Sequence, residues 1–401
     1  MTKPYKTYGQ DYIEQGALTQ MDNVMSIPCV TKGALMPDAH QGYGMPIGGV
    51  CAVENAVIPY AVGVDIGCRM HLSVMKSVNA EEAFSDEKVY ERMRNVLRCN
   101  SYFGGTALPN KKYDHPLFDD LRWGIIDKLG IKMWDGSSLK DRARMQLGTS
   151  GGGNHFVEWG QYGYTVEGEP TSVALLSHSG SRSLGYTIAN HFTKLAATIN
   201  PLPEPLNELS WLSMDTEEGY DYWHLMNLCG EYSAINHEFI HNAVIGDMDD
   251  PSFKIRQTIS NHHNFAWLEE VDGKMAYVHR KGATPAGAGV TGIIPSSMAT
   301  KAYIVVGNGN ADSINSASHG SGRAMSRSKA IKTIKQDDIN RVLKENHIDL
   351  LGGGVDESPM AYKDIERVMD AQHDLVTVVA AFQPRIVRMA GRMEVDTSEG
   401  A

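Results

Sequence analysis

The chain has 401 residues, of which 42% are hydrophobic and 21% charged, as in ordinary globular proteins. It contains no run near the roughly 18 apolar residues of a membrane span, and its first residues, MTKPYKTYGQDYIEQ, resemble neither a signal peptide nor a transit peptide. We therefore expect a cytoplasmic protein without a membrane segment. The net charge of −11 argues against a protein coated in nucleic acid, but it is compatible with a local basic groove.

No repeat, low-complexity tract or long linker divides the sequence, so we expect one domain over residues 1–401. Asn79, followed by Glu82 at the third position, predicts a capped helix that continues to Leu97. Residues 171–177 are rich in strand-forming residues and precede the glycine loop HSGSRSLG. Apolar residues at helical spacing follow that loop, which predicts a strand, a loop and a helix.

The same order of strand and loop is predicted at residues 276–279 and 302–307. Near the C-terminus, an amphipathic helix that ends near Pro384 is predicted by Ile365, Val368, Met369, Val376 and Val379. The fold class expected from these elements is mixed α+β, with the functional residues on loops.

Candidate metal ligands lie in glycine-, serine- or asparagine-rich turns. Asp65 and Cys68 are three residues apart in GVDIGC, and His155, His178 and His263 lie in GGGNHF, HSGSR and NHHNF. Each alone is commonly structural, but together they form an oxygen, sulfur and nitrogen donor set suited to one or two transition metals. The spacing leaves open whether they converge.

A basic run follows His319, which lies among small residues in SASHGSGR. Its cations are Arg323, Arg327, Lys329, Lys332 and Lys335. Small residues let backbone N–H groups approach a phosphate, and the imidazole could be a base, an acid or a nucleophile. The alternative is a glycine turn that leads into a basic, solvent-facing helix.

The segment His237-Glu-Phe-Ile-His241 is a literal HExxH, which on a helix could bind zinc with Glu238 as the base. The apolar stripe of this helix lies almost opposite the two histidines, so we expect them to face outward or into a polar groove. A zinc peptidase is a remote alternative, because HExxH is short and no HxxGxxH extension follows.

Taken together, these motifs resemble those of the RtcB family of RNA ligases. The matches run from MPDAHQGYGMPIGG at residue 36 to PMAYKDI, and between these two lie GVDIGC, GGGNHFVE, HSGSR, HHN, RKGA, GIIPSSM and HGSGR. The resemblance implies a single large domain of mixed sheets surrounded by helices, with a metal and nucleotide site built from loops. It also implies a ligase that joins RNA 3′-phosphate or 2′,3′-cyclic phosphate ends to 5′-hydroxyl ends, in RNA repair or tRNA splicing.

The resemblance implies two Mn²⁺ ions, bridged by Cys68, with Asp65 and His155 on one and His178 and His263 on the other. It implies that GTP guanylylates His319. The implied nucleotide contacts are Asn154, His155, Phe156, Val157, Glu158, His263, Asn264, Pro295, Ser296, Ser297, Met298, His319, Gly320, Ser321 and Gly322. The implied RNA contacts are Arg182, Asn236, Lys281, Arg323 and Arg327.

Three positions depart from the family pattern. Ala302 replaces a common serine, Ala390 lies where a C-terminal lysine is expected, with Arg388 and Arg392 nearby, and Arg69 replaces a glycine beside the metal ligands. The alternatives are a diverged paralogue that acts on other nucleic-acid ends and a non-catalytic RNA-binding protein. The expected partners are RNA ends and an archease-like activator, with the chain itself a monomer.

Overall fold

The computed structural model describes residues 3–104, 113–164 and 171–391. Within these residues the strands are β1 (Lys6–Thr7), β2 (Val30–His40), β3 (Ile47–Val53), β4 (Ala56–Val57), β5 (Arg69–Asn79), β6 (Phe156–Tyr164), β7 (Ser172–Ser179), β8 (Leu212–Ser213), β9 (Ile255–His262), β10 (Asn264–Val271), β11 (Lys274–Lys281), β12 (Ala283–Pro285), β13 (Thr291–Ile294), β14 (Ala302–Gly307), β15 (Ser316–Ser318), β16 (Asp349–Leu350) and β17 (Val376–Met389). The helices are α1 (Gln15–Ser26), α2 (Pro59–Val62), α3 (Ala80–Ser85), α4 (Glu87–Asn100), α5 (Trp123–Lys128), α6 (Leu139–Gln146), α7 (Arg182–Ile199), α8 (Glu217–Gly246), α9 (Arg327–Thr333), α10 (Gln336–Glu345) and α11 (Ile365–Asp370).

Two mixed sheets organise the fold. The smaller has the order β1-β2-β3-β11-β10, and the larger has the order β13-β14-β17-β6-β7-β5-β9, with β16 paired to β17. Most neighbours are antiparallel, while β1–β2 and β16–β17 are parallel. The expected mixed α+β class is thereby confirmed. None of the described helices has the length and apolar character needed to cross a membrane.

One edge of the larger sheet gathers the loops that carry the candidate ligands. Phe156 of β6, His178 of β7, Met70 of β5 and Asn261 of β9 lie side by side in register. Because these strands are antiparallel neighbours, the starts of β5 and β6 meet the ends of β7 and β9. Residues just outside the strands, such as Cys68, therefore come together at this edge.

Helix α8, 30 residues long, is buried on two sides. Leu225, Leu228 and Tyr232 pack in a cluster with α7, and Ile240 and Val244 pack under the larger sheet. Apolar burial on this scale holds the helix against the back of β5 and β7.

The strand predicted at 171–177 is confirmed as β7, and the strands predicted at 276–279 and 302–307 are confirmed within β11 and β14. The Asn79 cap is also confirmed, because its side chain accepts the Glu82 N–H. The uninterrupted helix to Leu97 is wrong, because Asp86 ends α3 and caps α4 by accepting the N–H groups of Lys88 and Val89.

The long C-terminal helix is also wrong. Of the residues at helical spacing, only Ile365, Val368 and Met369 lie in a helix, α11, and Val376 begins the 14-residue strand β17. Strands β14, β6 and β16 pair with it, so the β-branched residues from Val376 onward lie in a sheet. Pro384 lies within this strand at an irregularity in its pairing with β6, not at a helix end.

Candidate active site

Five predicted ligands converge at the sheet edge. Cys68 Sγ lies 3.4 Å from His155 Nε2 and 3.1 Å from His178 Nε2. His178 Nε2 lies 3.2 Å from His263 Nε2, and Asp65 Oδ2 lies 3.1 Å from His155 Nε2. The thiol thus lies beside His155 and His178, while Asp65 adjoins His155 and His263 adjoins His178.

The tautomer of His178 and the orientation of the three imidazole rings suit metal binding. His178 Nδ1 lies 3.1 Å from the carbonyl oxygen of Asn154, so Nδ1–H donates to that oxygen and Nε2 keeps its lone pair toward the thiol. The Nδ1 atoms of His155 and His263 are buried and have no hydrogen-bond partner among the described residues. All three imidazoles therefore present Nε2 to the same small volume.

Burial controls the electrostatics of this cluster. Desolvation, with the neighbouring His155, lowers the pKa of His178 to about 3, and desolvation with His319 holds the pKa of His263 well below its usual range. Burial opposes ionisation of Asp65, but the hydrogen bond from His155 holds the pKa of that carboxyl below its ordinary value. Neutral imidazoles and an ionised carboxylate are the forms that bind metal ions.

Gly180 is required beside this cluster. A Cβ atom built at this position would lie 2.0 Å from Asp65 Oδ1, closer than any real contact. The glycine of HSGSR therefore allows the turn after β7 to approach the carboxylate. The N, O and S donor set fits one or two transition metal ions.

His319 lies next to the metal candidates. Its ring centroid is 5.0 Å from that of His263. On its other side, Nδ1 lies 2.6 Å from Oδ2 of Asp38, and the same oxygen accepts the backbone N–H of His319 at 3.2 Å. The carboxylate accepts Nδ1–H, so Nε2 carries the lone pair of a nucleophile.

Asp38 was not among the candidates from the sequence, although its motif MPDAHQGYG was. The residue is fully buried, and Oδ1 has no hydrogen-bond partner among the described residues. Lys363 lies beside it, with Nζ donating to the carbonyl oxygen of Ala39 at 2.7 Å. An acid near the end of a predicted strand in the N-terminal part of the sequence gives no indication that it pairs with a histidine 281 residues away.

A family model described as tRNA-splicing ligase RtcB matches residues 20–390. The chain belongs to the RtcB family of RNA ligases. It is 34% identical to the RNA-splicing ligase RtcB of Escherichia coli K12, over 92% of each chain. It is 30% identical to the tRNA-splicing ligase RtcB of Nanoarchaeum equitans and 29% identical to that of Thermococcus kodakarensis, each over 96% of this chain and 94% of the relative. The resemblance drawn from the motifs is confirmed.

Some of the residues that the resemblance to RtcB implies as nucleotide contacts lie beside the metal candidates. Asn154 and Phe156 flank His155, and the Phe156 ring centroid is 5.7 Å from that of His178. Asn264 accepts the N–H of Gly282 and donates to the Asp65 carbonyl oxygen at 3.4 Å. In contrast, the Val157 side chain packs in an apolar cluster with Trp159, and its backbone lies in β6 between Ser177 of β7 and Arg388 of β17.

Glu158 and two loops complete the nucleotide candidates. Glu158 is buried, and desolvation raises the pKa of its carboxyl well above its usual range.

A Cβ atom at Gly320 would lie 3.2 Å from the Pro295 carbonyl oxygen, which places the 295–298 loop against the 320–322 loop. Hydroxyls of Ser296 and Ser297 bond to Thr300, while the buried Ser321 hydroxyl has no partner among the described residues. Gly322 lies against the Asp38 carbonyl oxygen, where a Cβ atom would be 2.1 Å away.

Two of the RNA candidates are interior residues that hold one turn. Asn236 Oδ1 accepts the N–H groups of Gly148 and Thr149 at 2.8 and 3.2 Å. Arg182 is also buried and donates to Thr149 and to the carbonyl oxygen of Gly104. Both side chains therefore support the loop that leads to His155.

The other RNA candidates are cations with intramolecular partners. Lys281 is buried and donates to the carbonyl oxygens of Tyr43 and Tyr60. Arg323 Nη1 lies 3.4 Å from the buried Glu357, and Arg327 contacts Glu357 and lies 2.8 Å from Asp356. This cluster joins the loop after His319 to residues 356–357.

Arg69 differs in orientation from the candidate metal ligands. It pairs with Ser179 and His262 in the sheet, and its guanidinium bonds to Ser260 Oγ, the Gly230 carbonyl oxygen and His262 Nδ1. Successive side chains of a strand alternate between faces, so Arg69 faces α8 while the neighbouring Cys68 faces the metal candidates.

The other two positions that depart from the RtcB family pattern, Ala302 and Ala390, lie in hydrophobic surroundings. Ala302 packs in the apolar cluster with Phe382 and Ile304, and Ala390 is buried in the cluster with Ile386. The guanidinium of Arg388 lies 5.8 Å from the Phe103 ring centroid. The predicted neighbour Arg392 lies outside the described residues.

Of the two orientations expected for the HExxH histidines, outward or into a polar groove, the outward one is wrong. His237 and His241 are buried against β5 and β7, and every ring nitrogen is hydrogen-bonded to a serine hydroxyl or to the backbone. Glu238 is exposed and points elsewhere. Their face is polar but not solvent-facing, because α8 is covered on both sides. The zinc-peptidase alternative therefore lacks free ligand atoms.

Proposed function

We propose that this chain is a Mn²⁺- and GTP-dependent RNA ligase, which joins RNA 3′-phosphate or 2′,3′-cyclic phosphate ends to 5′-hydroxyl ends through a guanylylated His319. The observation that carries the proposal is the position of His319 between Asp38 at 2.6 Å and the Cys68 cluster. Membership of the RtcB family supports the reaction class. The proposed setting is cytoplasmic, with the chain a monomer that an archease-like protein activates.

Cys68 would be shared by two manganese ions, one also bound by Asp65 and His155 and the other by His178 and His263. When bound, these ions would withdraw charge from phosphate oxygens. Thiolate and imidazole bind Zn²⁺ more tightly than Mn²⁺, so the proposed metal identity depends on family membership and metal availability.

The nucleophile is Nε2 of His319. It attacks the α-phosphorus of GTP, a P–N bond forms, and the bond to pyrophosphate breaks. Asp38 holds Nδ1–H throughout and stabilises the positive charge that develops on the ring. A 2′,3′-cyclic phosphate end would first be opened by water to a 3′-phosphate. An oxygen of the RNA 3′-phosphate then attacks the GMP phosphorus, so a P–O bond forms and the P–N bond to Nε2 breaks. Attack of the 5′-hydroxyl oxygen on the RNA 3′-phosphorus forms the new phosphodiester and releases GMP.

Glu158 would accept the N–H groups of guanine. Its burial favours the neutral acid in the free protein, and two N–H donors would favour the carboxylate. The remaining proposed nucleotide contacts are those of the loops at 154–157, 263–264, 295–298 and 319–322. Lys281, Arg323 and Arg327 would bind RNA phosphates, while Arg182 and Asn236 would act from the interior through the 148–149 turn.

A second candidate is nucleotidyl transfer to other nucleic-acid ends. The burial of Ala390, where a lysine is expected in the family, favours it because no cation from that position can reach a nucleotide. The two candidates differ in the accepted end and nucleotide, not in the histidine chemistry.

The test is incubation with Mn²⁺ and GTP labelled at the α-phosphorus, followed by denaturing electrophoresis, in parallel with ligation of an RNA 3′-phosphate to a 5′-hydroxyl. Label and ligated RNA would support the first candidate. Label from another nucleotide, or transfer only to DNA ends, would favour the second. A wild-type protein that takes no label from any nucleotide would contradict both.

A further inference from the structure

A continuous chain of hydrogen bonds lies behind β7, on the side opposite the metal candidates. Ser73 Oγ lies 2.8 Å from His241 Nδ1, and His241 Nε2 lies 2.8 Å from Ser177 Oγ. Ser177 Oγ lies 2.6 Å from His237 Nδ1, and His237 Nε2 lies 3.1 Å from the carbonyl oxygen of Ser179. The HExxH residues supply both imidazoles of this chain.

The donors and acceptors of the chain are determined by its last member. A carbonyl oxygen can only accept, so His237 Nε2–H donates to Ser179, and the neutral ring must accept at Nδ1. The Ser177 hydroxyl therefore donates to His237 and accepts from His241 Nε2–H, while His241 Nδ1 accepts from Ser73. Desolvation and the adjacent His71 hold the pKa values of His237 and His241 well below the usual range, which keeps both rings neutral.

The two anchored residues of β7 flank His178. Ser177 is held through its hydroxyl and Ser179 through its carbonyl oxygen, while His178 faces the other side of the strand and donates from Nδ1 to the Asn154 carbonyl oxygen. The end of β7 is thus anchored from behind by α8 and from the front by the 154 loop. A shift of this strand would move His178 Nε2 away from Cys68.

We propose that the HExxH segment is an internal brace for the metal centre, in which His237 is a positioning residue that holds His178 in its metal-binding orientation through the Ser179 carbonyl oxygen. The inference rests on the metal binding in the proposed function, but not on guanylylation. It assigns a role to a motif that the ligase reaction leaves unused.

Two substitutions separate the bonds of His237. A glutamine side chain places an N–H donor near the position of Nε2 and can keep the bond to Ser179, whereas asparagine places its oxygen near Nδ1 and keeps only the bond from Ser177. We expect His237→Asn to weaken Mn²⁺ binding by about tenfold or more. Loss of a hydrogen bond that orients a metal ligand commonly has an effect of this size. We expect His237→Gln to remain within about threefold of the wild type.

Ser73→Ala is the matched control, because it breaks the same chain at the end farthest from His178. It should lower thermal stability while Mn²⁺ affinity remains unchanged. Each full-length variant would be prepared without metal and titrated with Mn²⁺, with free Mn²⁺ measured by electron paramagnetic resonance and folding measured by circular dichroism. A Co²⁺ titration, followed by the thiolate-to-cobalt charge-transfer absorption, reports geometry at Cys68 independently of activity.

Weakened Mn²⁺ binding and an altered cobalt spectrum in a folded His237→Asn protein, with rescue in His237→Gln, would support the brace. If both variants bind Mn²⁺ as the wild type does and only lose stability, His237 is merely structural and the inference is overturned. Equal weakening in Ser73→Ala would also overturn it. A wild type that binds Mn²⁺ but takes no GMP would contradict the proposed function and leave the brace standing.

Discussion

Asp38 and His319 form a buried pair, with Oδ2 of the carboxylate 2.6 Å from Nδ1 of the imidazole. The pair sets the tautomer of the proposed nucleophile and stabilises the charge that forms when Nε2 becomes bonded to phosphorus. We expect Asp38→Asn to slow attachment of GMP by about 100-fold or more, as loss of an orienting carboxylate does in other histidine-dependent enzymes. The measurement is the single-turnover rate of label incorporation, with Mn²⁺ binding unchanged as the control. An unaltered rate would remove Asp38 from the mechanism.

His319→Ala should carry no labelled GMP, although it still binds metal, because the five metal candidates remain. In the wild type the bond should be lost in mild acid and survive in alkali, as expected for a phosphoramidate rather than an ester to Ser318 or Ser321. The measurement is retention of label after each treatment. Label on His319→Ala would place the nucleophile elsewhere.

Cys68→Ala should lose more metal than His155→Ala, because the thiol lies between both groups of ligands. We expect about two Mn²⁺ per wild-type chain, and the measurement is metal analysis after equilibrium dialysis. His155→Ala is the matched control, since it removes a ligand from one group only. Full occupancy in Cys68→Ala would contradict the bridging position.

The basic run after His319 contains paired and unpaired cations. Arg327→Ala removes a partner of the buried Glu357, so we expect the free energy of unfolding to fall by up to about 3 kcal/mol. Lys329 is exposed, and Lys329→Ala should leave stability within about 0.5 kcal/mol of the wild type. It should weaken RNA binding and reduce its dependence on salt.

Urea unfolding and RNA titrations at two salt concentrations measure both effects. Unchanged RNA affinity in Lys329→Ala at low and moderate salt would assign the exposed part of this run to a solvated helix. Unchanged stability in Arg327→Ala would show that Arg323 alone neutralises Glu357.

Lys281 should make stability depend on pH, because burial lowers its pKa from 10.5 to about 8. Between about pH 8 and 10.5 the unfolded chain binds a proton that the folded chain does not, so the free energy of unfolding rises with pH in this window. Relative to Lys281→Met, the rise should approach about 3 kcal/mol. Urea unfolding of both proteins at pH 7.5 and 10 measures the difference. A difference that is independent of pH would contradict the lowered pKa.

Residue chemistry and local order were accessible from the sequence. Asp65, Cys68, His155, His178 and His263 could be named because each lies in or next to a short turn of small or polar residues, although His178 itself is in β7. The strands before these turns were predictable because the alternation and composition of a strand are local properties. Their convergence was not, because it depends on the order of β6, β7, β5 and β9 in one sheet.

Tertiary structure alone decided three further points. Asp38 meets His319 because the end of β2 packs against β15, which His319 directly follows. Val376 begins a strand because β14 pairs with it and because β6 and β16 pair with the residues that follow. The helical spacing of apolar residues contains no information about these partners. His237 and His241 turn inward because α8 is buried on two sides, so its polar face meets the serines of β5 and β7 instead of water. Hydrophobic periodicity records which face of a helix is apolar, but the partner of the polar face is decided by packing.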